Sequence, residues 1–163
     1  METVPETYHE ALKLIIEHTR EFLRDGQELA PICFLGKFEA GLVPFPMSFA
    51  DIEAKNKSAA VVRSLAAKYK VDYLIMISEA WAVAEAENPE AIDKLLKQYG
   101  SVQNCSNKVE VVMLTLETRQ GVWMSMPLIK RLNDKQRDCE DFKFKQSEAE
   151  GRFVHLLPPD ILQ

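Results

Sequence analysis

Residues 73–90 read YLIMISEAWAVAEAENPE, and the way this stretch is read decides the fold class. Five apolar residues, Tyr73 to Ile77, run without a break into Ser78, Glu79 and Trp81. A short apolar run of this kind is the signature of a strand covered on both faces. We place that strand at Val71 to Trp81. Side chains alternate along a strand, so Tyr73, Ile75, Ile77, Glu79 and Trp81 share one face, and Leu74, Met76, Ser78, Ala80 and Ala82 share the other. Glu79 therefore extends an otherwise apolar row. A carboxylate in that position must reach water, pair with a cation or keep its proton. Ser78 points the other way, so Ser78 and Glu79 are not one reactive unit.

Upstream, Tyr8, Leu12, Ile15, Ile16, Thr19, Phe22 and Leu23 recur at helical spacing, which predicts a helix over Glu6 to Arg24. Asp25-Gly26 supplies its stop. Two short strands follow, at Leu29 to Leu35 and Gly41 to Phe45, joined by a turn over Gly36 to Gly41. Pro44 and Pro46 cannot donate ladder hydrogen bonds, so the second of these strands belongs at a sheet edge. A second helix runs from Phe49 or Asp51 to Tyr69, with Ser48 as its expected N-cap. Lys55, Ala59, Val62, Ala66 and Tyr69 fall on its inward face.

Downstream, Asn88-Pro89 followed by Ile92, Leu95, Leu96 and Tyr99 predicts a short helix, stopped at Gly100. Val109 to Thr118 and Val122 to Leu132 read as a hairpin turning at Gln120-Gly121, with Pro127 making part of its second arm an edge or a bulge. Residues 133–150 are dense in charge and read as an exposed excursion, with a short strand allowed where Phe142 and Phe144 alternate with lysines. Arg152 to Leu157 is expected to form a last strand. The order is α-β-β-α-β-(α)-β-β-β. This is an α+β fold: one domain over residues 1–163, a mostly antiparallel mixed sheet of about five to six strands, two main helices and one short helix, with the helices mainly on one face.

Composition narrows the function. A chain of 163 residues, 47% hydrophobic, can support one core of its own. The net charge of −5 and a pI near 5.3 disfavour a general phosphate-backbone binder, so nucleic acid is not an expected partner. Lys130, Arg131, Lys135 and Arg137 are interrupted by acids, which describes a mixed surface rather than a basic patch. The three cysteines, Cys33, Cys105 and Cys139, form no CxxC pair, and a reducing cytoplasm fits them better than a disulfide framework. The acidic, periodic N-terminus does not read as a signal peptide, and no apolar run has the roughly 18 residues of a membrane span.

The familiar catalytic patterns are missing from the sequence. His9 and His18 stand nine residues apart on one helix, and at about 100° per residue they face opposite ways. His155 has no nearby Cys or His. No metal site or cofactor is expected. Walker and dinucleotide glycine patterns do not occur. Cys33 lies in PICFL, apolar surroundings that quiet a thiol, and Cys105 and Cys139 fall in polar stretches that read as loops. Ser78 lacks the flanking glycines of a nucleophile elbow.

What remains is Glu79 beside Trp81. Lys55, Arg119, Lys130, Arg131 and Arg152 are the cations near strand ends or inward faces that could answer the carboxylate. Glu79 would anchor a pocket and Trp81 would wall it, because ligand sites combine apolar linings with few polar groups. Trp81 could equally sit in a dimer contact. The run of a helix, an apolar strand pair, a helix, a strand ending in Ser78-Glu79-Ala80-Trp81 and a hairpin resembles that of small bacterial proteins. The resemblance rests on that tetrapeptide, implies no activity and carries over no catalytic residue. The expected function is a non-enzymatic cytoplasmic binding or interaction domain, working as a homodimer on a small ligand or protein partner. The alternative is a small, hydrolase-like acid–base enzyme using Glu79, with Lys55, Arg119 or Arg131 as its electrostatic partner.

Overall fold

The strand at the centre of the chain needs cover on both faces, and the fold supplies it. The computed structural model describes residues 1–83, 108–148 and 156–158. A short 3-10 turn, Glu6–Tyr8, leads into helix α1 (His9–Arg24). Strands β1 (Ile32–Lys37) and β2 (Gly41–Pro46), helix α2 (Ile52–Lys68), and strands β3 (Tyr73–Val83), β4 (Lys108–Thr118) and β5 (Gly121–Ser125) follow. Three short strands are the last among the described residues: β6 (Ile129–Arg131), β7 (Arg137–Cys139) and β8 (Lys145–Ser147). The main sheet has six strands in the order β2-β1-β3-β4-β5-β8, and β6 pairs with β7 in a separate ribbon.

The α+β class and the mostly antiparallel sheet are as expected, and every pairing among the described residues is antiparallel. The helices divide between the faces instead of sharing one. Tyr73, Ile75 and Ile77 pack with Leu12, Ile15 and Leu23 of α1. Leu74 and Met76 pack with Ala59, Val62 and Ala66 of α2. The unbroken apolar run of β3 requires this arrangement, because one helix would leave half of it in water. Each Leu or Ile buried here contributes about 1.5–3 kcal/mol relative to exposure.

Local chemistry sets the element ends. The chain leaves α1 through Gly26 at φ +75°, with Gly26 N–H donating to the Leu23 carbonyl and Gln27 N–H to that of Phe22. Helix α2 is capped by Asp51, whose carboxylate accepts from Ala54 N–H at 2.7 Å. Ser48 is not the cap, because the helix begins at Ile52, directly after Asp51 and three residues beyond where Ser48 would cap it. Tyr69 lies past the last turn and is exposed. Strand β2, with Pro44 and Pro46, occupies the expected edge.

Pro127 interrupts the second hairpin arm, as expected: β5 ends at Ser125, but Leu128 still bridges Val111 of β4 and Val112 N–H donates to the Pro127 carbonyl before the chain continues into β6. Residues 133–148 are not a free excursion. Arg137, Cys139 and Phe144 are buried there, and β8 extends the main sheet. On the α2 face, the buried Glu117 carboxylate accepts hydrogen bonds from the Leu156 and Leu157 N–H groups. The short helix expected over Asn88 to Tyr99, and most of the last strand expected at Arg152 to Leu157, lie outside the described residues. Leu156 and Leu157 themselves are not in a strand. No helix among the described residues is long and apolar enough to cross a membrane.

Gly36 stands opposite Tyr73 in the β1–β3 register, and the Tyr73 ring lies directly across it, flanked by the rings of Tyr8 and Phe38. Any Cβ at position 36 would overlap the Tyr73 ring. Gly36→Val should therefore cost about 1–3 kcal/mol through overpacking, seen as a lower urea midpoint and melting temperature. Unchanged stability would show that the ring moves aside without penalty.

Candidate functional site

The pairing of β1 with β3 stops at Ile32 opposite Ile77, so Glu79 lies just beyond the six-stranded part of the sheet, on the α1 face. Its Oε1 accepts a hydrogen bond from the Arg137 guanidinium at 2.7 Å and another from Leu29 N–H at 2.9 Å. Arg137 comes from β7, in the stretch that reads as solvated charge. Its side chain is 8% exposed, against 25% for that of Glu79. The same guanidinium donates to the Gln27 carbonyl at 2.8 Å and lies 3.9 Å from a carboxylate oxygen of Glu110. The hydrogen bond to Glu79 holds the Arg137 pKa above its usual value, outweighing the opposing effect of burial. The pair thus ties three separate segments together: β3, β7 and residues 27–29.

The other sequence candidates are placed as follows. Trp81 shares Glu79's face and stands opposite Glu110. It is partly exposed, and the Lys108 ammonium sits 4.6 Å from its ring centroid, a cation–π contact. Arg131 reaches the same neighbourhood indirectly, through Glu110 at 3.3 Å. Arg119 lies at the opposite end of β3, donating to the Val71 and Asp72 carbonyls. Lys55 belongs to α2 on the other face, where its ammonium lies 5.9 Å from the Phe49 ring centroid. The structure thus brings Glu79, Trp81 and, at one remove, Arg131 together, and leaves Lys55 and Arg119 elsewhere. Arg137 is the partner that sequence reasoning missed. Its one signal is alternation: Arg137 and Cys139 are both buried, on either side of Asp138.

Glu79 also shapes its surroundings. By holding Leu29, and through Arg137 holding Gln27, it fixes the segment that closes one end of an apolar groove. This groove runs between α1 and the β1–β2 hairpin and has a volume of about 370 Å³. Leu14, Ile15 and Phe22 form its helix wall, and Ile32, Phe34, Leu42 and Pro44 its strand wall. Leu29 and Ile77 lie between them, and His18, Thr19 and Glu28 are the polar members. Thr19 is already satisfied, donating to the Ile15 carbonyl at 2.7 Å. Leu14 and Phe22 stand nearly half exposed at the rim, at 48% and 46%. A more polar cleft of about 460 Å³ lies between the end of β5 and residues 139–143, with Lys130, Glu140 and Lys143 among its walls.

The two thiols among the described residues are quiet. Cys33 is fully buried, and desolvation, helped by the charge of Glu117, pushes it up to about 12. Cys139 is not on a loop but in β7, where burial raises its pKa as well. His9 Nε2 lies 2.7 Å from the Val4 carbonyl. Among the described residues, no three His, Cys, Asp or Glu side chains are grouped so as to hold a metal ion. No family model, curated protein or solved structure matches this chain.

A second charged cluster locks α1 to β7. Asp138 accepts from Arg20 at 2.8 Å and from Arg24 at 2.9 Å. Burial pushes the Asp138 carboxyl up, but the Cys139 N–H, Arg24 and Arg20 outweigh it, and the net pKa lies below the usual carboxylate value. A carboxyl lowered on folding stabilises the protein above its unfolded pKa and loses that contribution as pH falls through the folded one. Stability should therefore decline below about pH 4. Asp138→Asn should remove part of that decline while lowering stability at neutral pH, as read from urea midpoints across pH. Parallel profiles for the two proteins would contradict this assignment.

Proposed function

We propose that the protein is a non-enzymatic binding domain of the cytoplasm, and that its recognition surface is the apolar groove between α1 and the β1–β2 hairpin. The observation that carries this reading is the groove itself. Its volume of about 370 Å³ falls within the range of ligand-binding clefts, and its lining is apolar with few polar groups. Exposed Leu14 and Phe22 add an apolar rim, the kind of surface that marks an interaction site. Its long walls are a helix and paired strands, and the segment closing one end is held by Glu79 through the Leu29 N–H. Free, buried Cys33 and Cys139 fit a reducing compartment.

We also propose that the chain works as a homodimer. Among the described residues, no strand covers β3 beyond Ile77 on the side that β1 occupies earlier. An uncovered edge is a template for pairing with another chain, and the partly exposed Trp81 lies on this stretch. The acid–base alternative has less support. Its working group would be Glu79, and one oxygen of that carboxylate is already committed to Arg137 and to the Leu29 N–H.

The groove is tested with Nile red, a neutral apolar dye. The folded protein should enhance its emission, and Leu42→Gln, which places a polar group in the strand wall, should cut that enhancement by more than half without unfolding the chain. Equal emission from both proteins would remove the groove from consideration. Light scattering during size-exclusion chromatography should give twice the 18.6 kDa chain mass, and a monomer throughout the micromolar range would overturn the dimer.

A further inference from the structure

We infer that the groove's partner is a protein segment carrying apolar side chains flanked by lysine and arginine, in effect a basic amphipathic helix. This rests on the groove being the recognition surface, and it adds what the occupant must look like. The argument begins on α1. Leu14, His18 and Phe22 are spaced by four residues and line the groove together. Glu17 and Glu21 stand three residues beyond Leu14 and His18, next to that row on the helix surface. Asp25 follows at the end of the helix, and Glu28 lines the groove's closed end. All four acids are exposed.

One exposed cation stands on this side of the helix: Lys13, four residues before Glu17, which offsets one of the four acids. The strand wall is formed by apolar side chains. Arg20 and Arg24 stand three residues beyond Glu17 and Glu21 on the helix surface, but they are engaged by Asp138 and, for Arg20, by Asp141 as well. Lys37 lines a cleft on the opposite face of the hairpin. The mouth of the groove is therefore apolar in the middle and negative along one rim. Complementary charge on a partner speeds its approach and suppresses wrong partners.

The same features disfavour other occupants. Nucleic acid and anionic membranes would meet like charge. A second copy docking through this face would set the acidic rim near its own image in a two-fold contact. An extended peptide adding to the β2 edge would meet Pro44 and Pro46, which have no N–H to offer. A helix that inserts apolar anchors at i, i+3 and i+4 needs no ladder hydrogen bonds and suits a groove with one helical wall.

The test uses fluorescence anisotropy on the full chain with two labelled helical peptides. One is an amphipathic repeat of leucine and lysine, and the other has glutamate in place of lysine. The lysine peptide should bind at least about tenfold more tightly than the glutamate peptide, and more weakly as salt rises. The triple variant Glu17→Lys, Glu21→Lys, Glu28→Lys should weaken lysine-peptide binding about tenfold, since each exposed charge contributes a few-fold. Phe22→Ser should also weaken it. These four positions are exposed, and melting curves confirm that the variants fold.

If both peptides bind equally, or the charge-reversed variant binds as well as the native chain, the basic partner is overturned. Sensitivity to Phe22→Ser would then still leave the groove in use. If the lysine peptide binds and neither Phe22→Ser nor Leu42→Gln affects it, the groove reading fails too, because the peptide sits elsewhere. Absence of binding by either peptide overturns the basic helix as partner, and the Nile red result then decides the groove independently.

Discussion

The structure depends on the contact between Arg137 and Glu79. Glu79 closes the apolar row of β3 with a charge, and burying a charge without a partner is expensive. Arg137 answers it at 2.7 Å from a strand far along the chain. The remaining hydrogen bonds of the pair go to backbone groups of Gln27 and Leu29. One guanidinium and one carboxylate thus fix where the exit of α1 meets the sheet. They also fix the end of the groove to which we assign recognition. A group that at first suggests chemistry serves here as a joint.

The geometry of β3 explains the rest of the architecture. Its two apolar faces call for one helix each, and α1 and α2 provide them with different kinds of surface. Helix α2 offers Ser58, Ala59, Val62 and Ala66, small side chains that let it lie close to the sheet. Helix α1 buries larger residues on one side and leaves Leu14 and Phe22 at the edge of its contact. Each face nonetheless keeps an apolar cleft against the β1–β2 hairpin, about 370 Å³ beside α1 and about 320 Å³ beside α2. The groove is the place where α1 does not reach the edge of the sheet at β2.

Much of this could be read from the residues alone. The YLIMI run identified the central strand, alternation put Glu79 and Trp81 on one face, and Pro44 with Pro46 marked the edge. Asp25-Gly26 ended the first helix where the structure ends it. Other features were hidden for physical reasons. Arg137 lies 58 residues from Glu79, and its RDCED context looks solvated because alternation over three residues is too short to stand out. Ser48 and Asp51 are both good cap residues, and residue type alone does not say which of them the helix start follows; the structure starts α2 at Ile52, behind Asp51. The division of helices between faces was implicit in an unbroken apolar run, since only cover on both sides keeps such a strand dry. The groove had no local signal at all, because it arises from the spacing between α1 and β2.

The claim that Glu79 is a structural joint can be measured directly with a double-mutant cycle. Glu79→Gln, Arg137→Met and the double variant are compared by urea unfolding at neutral pH. A joint predicts that the two single changes are each costly and that their effects fall short of adding, with a coupling of about 1–3 kcal/mol. Effects that add within about 0.5 kcal/mol would contradict it, because Glu79 and Arg137 would then act independently.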